Sequence, residues 1–218
     1  MHYIDDDIRK REIVLECVAG KSLDSFVDKD NISTLSRDQC FQIWQGSAAG
    51  LEWIHGKGIL YNDMKPGNTV YDPERQRTKL LDFGISAQRI DGYFIGGGTP
   101  WYIAPEYQLR ERDVVADIWS LAIMIMFGLR IFALPDRTEK SWNLNKLFGE
   151  PDEAAENADI MNTWLKKVKG LRGLIPPGFQ LLQLMLNEDS SARPEAKAIV
   201  KELSILKRQR GRRLVGSR

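Results

Sequence analysis

Apolar residues recur at steps of three and four through Phe41, Trp44, Ala48, Leu51 and Ile54, the spacing of one buried face on an α-helix. Ser36 and Gln39 stand where the two halves of a capping box belong, so a helix is predicted from there to about His55, ended by Gly56 and Gly58. Upstream, Glu12–Val18 (EIVLECV) reads as one buried strand stopping at Ala19-Gly20, and Ser22–Val27 as a short helix start. Downstream, Thr69-Val70-Tyr71 and Lys79-Leu80-Leu81 are two short strands joined by a polar turn. Asp113–Arg130 (DVVADIWSLAIMIMFGLR) is apolar nearly all round, the pattern of a buried central helix. Met161, Trp164, Leu165 and Val168 suggest an amphipathic helix within residues 144–170, and Phe179–Leu186 is another apolar run. Three successive glycines, Gly96 to Gly98, imply a flexible loop.

Composition narrows the class without changing these elements. The 218 residues carry 43% hydrophobic and 28% charged side chains, ordinary for a globular protein, in one or two domains. A net charge of +1 gives no overall field favouring nucleic acid or a membrane surface. Cys17 and Cys40 have neither metal-ligand nor redox spacing. The amino-terminal MHYIDDDIRKRE is charged rather than apolar, and the longest apolar run, Leu121–Phe127, is too short to span a bilayer. There are no internal repeats. The expectation is an intracellular chain, cytoplasmic or nuclear, with no nucleic-acid or membrane partner.

The chemistry concentrates between Leu60 and Gly84, LYNDMKPGNTVYDPERQRTKLLDFG. Asp63, Lys65 and Asn68 lie in one short turn-rich segment, and the strand–turn–strand that follows should return Asp82 beside Asn68. Hard oxygen ligands from Asp82 and Asn68, a base at Asp63 and a cation at Lys65 suit a magnesium–phosphate complex.

D-x-K-x-x-N followed by D-F-G resembles the catalytic loop and metal-binding motif of eukaryotic protein kinases. GTPWYIAPE (Gly98–Glu106) resembles the end of a Ser/Thr kinase activation segment, D-I-W-S at Asp117 the helix that anchors the catalytic loop, and Arg193-Pro194 the family's closing R-P. The resemblance implies an α+β, protein-kinase-like fold. That fold is a mainly helical carboxy-terminal lobe with a short catalytic-loop hairpin, its amino-terminal sheet absent apart from one hinge strand. It implies ATP and Mg²⁺ as cofactors and a protein substrate with serine or threonine. Asp63 would be the base and Lys65 the phosphate cation. Asn68 and Asp82 would be the metal ligands, and Thr99 a hydroxyl bonding Asp63 and Lys65. The hinge would offer Glu16 and Val18 backbone groups to adenine, with Leu15 as gatekeeper and Val70 as the adenine floor. Asp117 would bind catalytic-loop N–H groups, and Arg193 would pair with Glu106, which favours protein kinases over small-molecule kinases. His55, at a helix end, is expected to have a charge–dipole or packing role.

Three departures qualify the resemblance. Tyr61-Asn62 stands where the family commonly has His-Arg: Tyr61 can pack under Phe83, but Asn62 cannot hold a phosphorylated side chain as arginine does. Residues 87–98 offer only Tyr93 as a hydroxyl, so no activation by loop phosphorylation is expected. Ala122 replaces a usual glycine. Neither G-x-G-x-x-G in the right context nor V-A-x-K occurs. The expected organisation is a polar stretch at 1–11, a kinase domain (hinge plus carboxy-terminal lobe) at 12–205, and a basic, solvated tail at 206–218. The expected function is phosphoryl transfer only if the missing lobe is supplied, the lone chain being weakly active or inactive. The alternative is a pseudokinase, an interaction module with weak or no nucleotide binding. An apolar patch around Ile13, Leu15 and Phe83 would then favour a partner or self-association.

Overall fold

The structure is a computed structural model describing residues 3–7, 12–90, 94 and 96–215. Strands β1 (Tyr3–Asp7) and β2 (Glu12–Leu15) form an antiparallel hairpin with Asp7 opposite Glu12 and Tyr3 opposite Leu15. The hinge strand is therefore not alone, because its backbone N–H and C=O groups find partners in the acidic stretch before it. It is also shorter than expected, leaving Glu16–Ala19 irregular. The side chains of Ile13 and Leu15, and all of Tyr93, lie outside the described part of the structure.

Gly20 (φ 105°) turns the chain into β3 (Lys21–Ser22), where a Cβ would come within 2.4 Å of the Tyr71 carbonyl oxygen. Only glycine permits that approach. A 3₁₀ turn at Leu23–Ser25 replaces the expected helix start. The long helix α1 (Arg37–His55) opens on the predicted capping box, the Ser36 hydroxyl accepting from Gln39 N at 3.2 Å and the Gln39 side chain from Ser36 N at 2.9 Å. Phe41, Trp44, Ala48, Leu51 and Ile54 are all buried. Next comes β4 (Ile59–Leu60), and then β5 (Thr69–Asp72) and β6 (Arg77–Leu80) form the expected hairpin, Val70 opposite Lys79 and Asp72 opposite Arg77. β3 adds to the free edge of β5, and β7 (Ala87–Gln88) pairs antiparallel with β4.

Helix α2 (Val114–Gly128) is buried along its whole length except at Val115, as its continuous apolar sequence requires. It runs against α1 closely enough that a Cβ on Gly128 would sit 3.2 Å from Cys40 Sγ. Around it lie α3 (Pro135–Thr138), α4 (Pro151–Leu171), α5 (Leu181–Met185) and α6 (Ala196–Val215). α4 buries Met161, Trp164 and Val168, while Leu165 is only partly covered. Trp44 of α1 stacks on Phe179 with ring centroids 5.7 Å apart.

The residues on both sides of 205/206 belong to one helix. α6 continues through that point, and the Arg210 guanidinium lies 4.1 Å from the centroid of Phe41 and 5.4 Å from that of Phe179. The charge run that suggested a solvated tail thus uses one arginine to cover core aromatics, while Lys207 and Arg208 stay exposed. Among the described residues no helix is long and apolar enough to cross a membrane.

Candidate active site

The loop after β4 is built on a carboxylate from α2. Asp117 accepts from Tyr61 N at 2.9 Å and Asn62 N at 2.8 Å, and its Oδ2 lies 2.9 Å from His55 Nε2. A carboxylate only 2% exposed needs such partners. The backbone bonds are those the resemblance implied. The His55 contact is new: the helix-end histidine also meets the carboxylate that holds the loop. Nothing in its local sequence signals a partner on another helix.

Tyr61 is fully buried, and its hydroxyl donates to the Leu81 carbonyl. Burial pushes its pKa far up, and the charges of Asp63, Asp82 and Asp117 push the same way. Its ring meets Phe83 edge-on at 5.3 Å, the packing expected of it. Asn62 adopts a left-handed backbone (φ 71°) and donates to the Ile85 carbonyl at 2.9 Å. That links the loop after β4 to the turn leading from the D-F-G segment into β7.

Past Asn62, three predicted residues converge. The Thr99 hydroxyl donates to Asp63 Oδ1 at 2.7 Å and accepts from Lys65 Nζ at 2.9 Å, while Lys65 Nζ lies 2.8 Å from Asp63 Oδ2. Asn68 Nδ2 donates to Asp63 Oδ2 at 2.7 Å and to its carbonyl at 3.1 Å. The amide nitrogen is committed to Asp63, which leaves the Asn68 oxygen as the donor atom for a cation. At the base of the hairpin, Leu81 N donates to Asn68 O at 2.8 Å, and this bond returns Asp82 to the Asn68 end. Asp82 is exposed with φ 56°, and its Oδ1 accepts from Gly84 N at 3.0 Å.

The remaining predicted positions lie on the hinge side. Val70 is buried in β5 opposite Ser22. Val18 is partly buried, and the Glu16 side chain pairs with Lys79 of β6, a tie between hinge and hairpin that no spacing announces. An open cleft of about 930 Å³ runs from Asp63, Lys65 and Thr99 to Trp142 and Glu156. Beyond it, Arg193 meets Glu106 through two bonds of 2.6 Å, with side chains 0% and 6% exposed. Among the described residues no three His, Cys, Asp or Glu side chains cluster to hold a metal by themselves.

The protein kinase domain family matches residues 2–204, and the chain belongs to that family. The serine/threonine-protein kinase CLA4 of Saccharomyces cerevisiae is 36% identical over 129 residues, 55% of this chain and 15% of that protein. The MAP kinase kinase MKK1/SSP32 of the same yeast is 30% identical over 128 residues, 57% of this chain and 25% of that protein. A probable cAMP-dependent protein kinase catalytic subunit of Encephalitozoon cuniculi is 40% identical over 79 residues, 35% of this chain and 24% of that protein. The matched stretch thus spans a quarter or less of each of these relatives. The α+β, mainly helical architecture is that of the family.

Proposed function

We propose that this chain carries the substrate-facing part of a serine/threonine protein kinase site, transferring the terminal phosphoryl group of ATP–Mg²⁺ to a protein hydroxyl. The observation that carries the reading is the closed contact among Asp63, Lys65 and Thr99, at 2.7 to 2.9 Å, on the rim of an open cleft. In this reading Asp63 Oδ accepts the proton of the attacking hydroxyl. Lys65 places a cation beside the transferring group, and Thr99 fixes both against the activation segment. The cleft leaves room for an extended peptide. The Glu106–Arg193 pair accords with a protein rather than a small-molecule acceptor.

The donor set fits magnesium. Mg²⁺ is usually held by one or two carboxylates plus substrate phosphates, and here one acid, Asp82, and one amide oxygen, from Asn68, stand at the same end of the hairpin. The bound ion would neutralise charge developing on the phosphates. Val70 would floor the adenine, and Glu16 and Val18 would offer it backbone groups. No phosphate-covering glycine loop or V-A-x-K lysine occurs in these 218 residues, so the reading requires those contacts from elsewhere. Losing one preorganised donor costs about 10²–10³ in rate, and this would be more than one.

A binding-only module is the second reading, favoured by Phe83 and Ile85, each 41% exposed beside the site. The test compares the chain alone with the chain fused behind the amino-terminal lobe of a relative, measuring ATP–Mg²⁺ binding and phosphate transfer to serine/threonine peptides. The kinase reading expects transfer in the fusion, abolished by Asp63→Asn and by Asp82→Ala. Nucleotide binding without transfer in the fusion would establish the second reading instead.

A further inference from the structure

Positive φ at Gly97 (114°) and Gly98 (115°) bends the activation segment back toward the catalytic loop. Two main-chain carbonyls then face one guanidinium. Arg112 donates from Nη2 to Asn62 O at 2.9 Å and from Nη1 to Gly97 O. The Tyr107 ring lies 5.5 Å from that guanidinium, and its hydroxyl accepts from Gly97 N at 3.2 Å. Phe94 of the same segment sits in the adjoining aromatic box, 5.1 Å from Tyr107 and 5.6 Å from Phe148 between ring centroids. Burial pushes the Arg112 pKa down against the attraction of Asp117 and other neighbouring charges. A cation in such a place is held by what it bonds, and here it bonds the two strands of backbone that form the site.

The fork geometry matters. A planar guanidinium presents parallel donors that can bridge two carbonyls, which an ammonium cannot match. The bridged atoms are also close to the chemistry. Asn62 precedes Asp63, and Gly97 is two residues before Thr99, whose hydroxyl bonds both Asp63 and Lys65. A Cβ on the intervening Gly98 would lie 2.5 Å from Ile103 Cδ1, 3.1 Å from Asn62 O and 3.3 Å from Arg112 Nη2, so the segment is pressed onto the latch.

We propose that Arg112 is a positioning residue that latches the activation segment to the catalytic loop through Asn62 O and Gly97 O, so that Thr99 is set on Asp63 and Lys65 without phosphorylation of the segment. Arg112 supplies from α2's approach the cation that Asn62 cannot supply from the loop. The inference rests on the kinase reading for its consequence in catalysis, and on geometry alone for the latch.

The experiment is amide hydrogen exchange over residues 94–101 in the wild type, Arg112→Met and Arg112→Lys, before and after phosphatase treatment. Methionine keeps a stem against Tyr107 and removes the donors, while lysine keeps the charge without the fork. Losing two charge-assisted bonds should speed exchange in this segment by at least about tenfold in Arg112→Met. A smaller rise is expected in Arg112→Lys, with α1 and α2 unchanged and no phosphatase effect on the wild type. In any preparation that transfers phosphate, kcat should fall with KM for ATP unchanged. Unaltered exchange in Arg112→Met would overturn the latch. So would protection lost throughout α1 and α2, or phosphatase-treated wild type exchanging as fast as the variant. Failure of the kinase reading shows separately, as no transfer in the fusion with the exchange result intact.

Discussion

Removing either half of the Glu106–Arg193 pair should destabilise the protein severely, and the structure allows the size to be worked out. Arg193 is completely buried and makes two bonds of 2.6 Å to Glu106. It also donates to the carbonyls of Asn187 at 2.6 Å, Val115 at 3.3 Å and Glu188 at 3.4 Å, and lies 5.2 Å from the Trp119 ring. Arg193→Met leaves the Glu106 carboxylate, 6% exposed, with its counter-charge gone. Glu106→Leu leaves the guanidinium facing carbonyls alone. Breaking a buried pair this way costs about 3–5 kcal/mol. Against a typical folding stability of about 5–15 kcal/mol, that is about a fifth of the total at the least and all of it at the most. For a chain of this size about 4 kcal/mol corresponds to roughly 8–16 °C in Tm. The pair Glu106→Leu with Arg193→Met should recover part of the loss, because no lone charge is then buried; the non-additivity should reach about 1–3 kcal/mol. Thermal and urea unfolding followed by circular dichroism measure all four proteins. Single variants within about 1 kcal/mol of wild type, or losses that simply add, would refute the reasoning.

Four further outcomes are expected. Thr99→Val removes the hydroxyl between Asp63 and Lys65 and should lower transfer by about 10–100-fold in an active fusion, with Thr99→Ser close to wild type; equal activity of valine and serine would contradict it. Burial pushes the Cys40 thiol up to about 12 from its ordinary 9.0, so a disulfide reagent at pH 8 should label exposed Cys17 alone in the folded chain and both thiols in denaturant. Because the folded pKa is the higher one, Cys40 contributes stability that is whole below about pH 9 and is lost as pH rises toward 12, which alkaline unfolding curves of Cys40→Ala and wild type compare. Gly20→Ala should cost about 1–3 kcal/mol and free β3 from β5, seen as faster amide exchange at Lys21 and Ser22.

What could be read from the sequence was whatever chemistry is local. The capping box at Ser36 and Gln39, the apolar face of α1, the all-apolar α2 and the β5–β6 hairpin each depend on residues a few positions apart, and each lies where the pattern put it. Asp117 to the loop amides and Glu106 to Arg193 are distant contacts, legible only because whole motifs carried them. The contacts that escaped have no such carrier. His55 reaches Asp117 across 62 positions and Lys79 reaches Glu16 across 63. Arg210 looks like any member of a charge run until Phe41 and Phe179 are seen beneath it. Arg112 stands in a charged turn, RERD, where nothing distinguishes a latch from a solvated arginine.

The two strained residues of the site are held unequally, and the inequality follows its chemistry. Asn62 and Asp82 both adopt positive φ, a conformation that Asn and Asp tolerate better than other non-glycine residues but still at a cost. Asn62 is buried and over-determined: its N–H is held by Asp117, its side chain by Ile85 O, and its carbonyl by Arg112. Asp82 is exposed, its side chain bonding Gly84 N. The protein therefore spends its buried contacts on fixing Asp63, Lys65 and Thr99, the groups proposed to meet the acceptor hydroxyl and the moving phosphoryl group. The proposed metal ligand gets far less support from the chain. A carboxylate facing solvent keeps its oxygens for a hydrated cation and its phosphates, where a tightly bonded one would have to break those contacts first. The proposed acceptor side of the site is thus preorganised by the chain itself, and the proposed nucleotide side would be left for its ligand to complete.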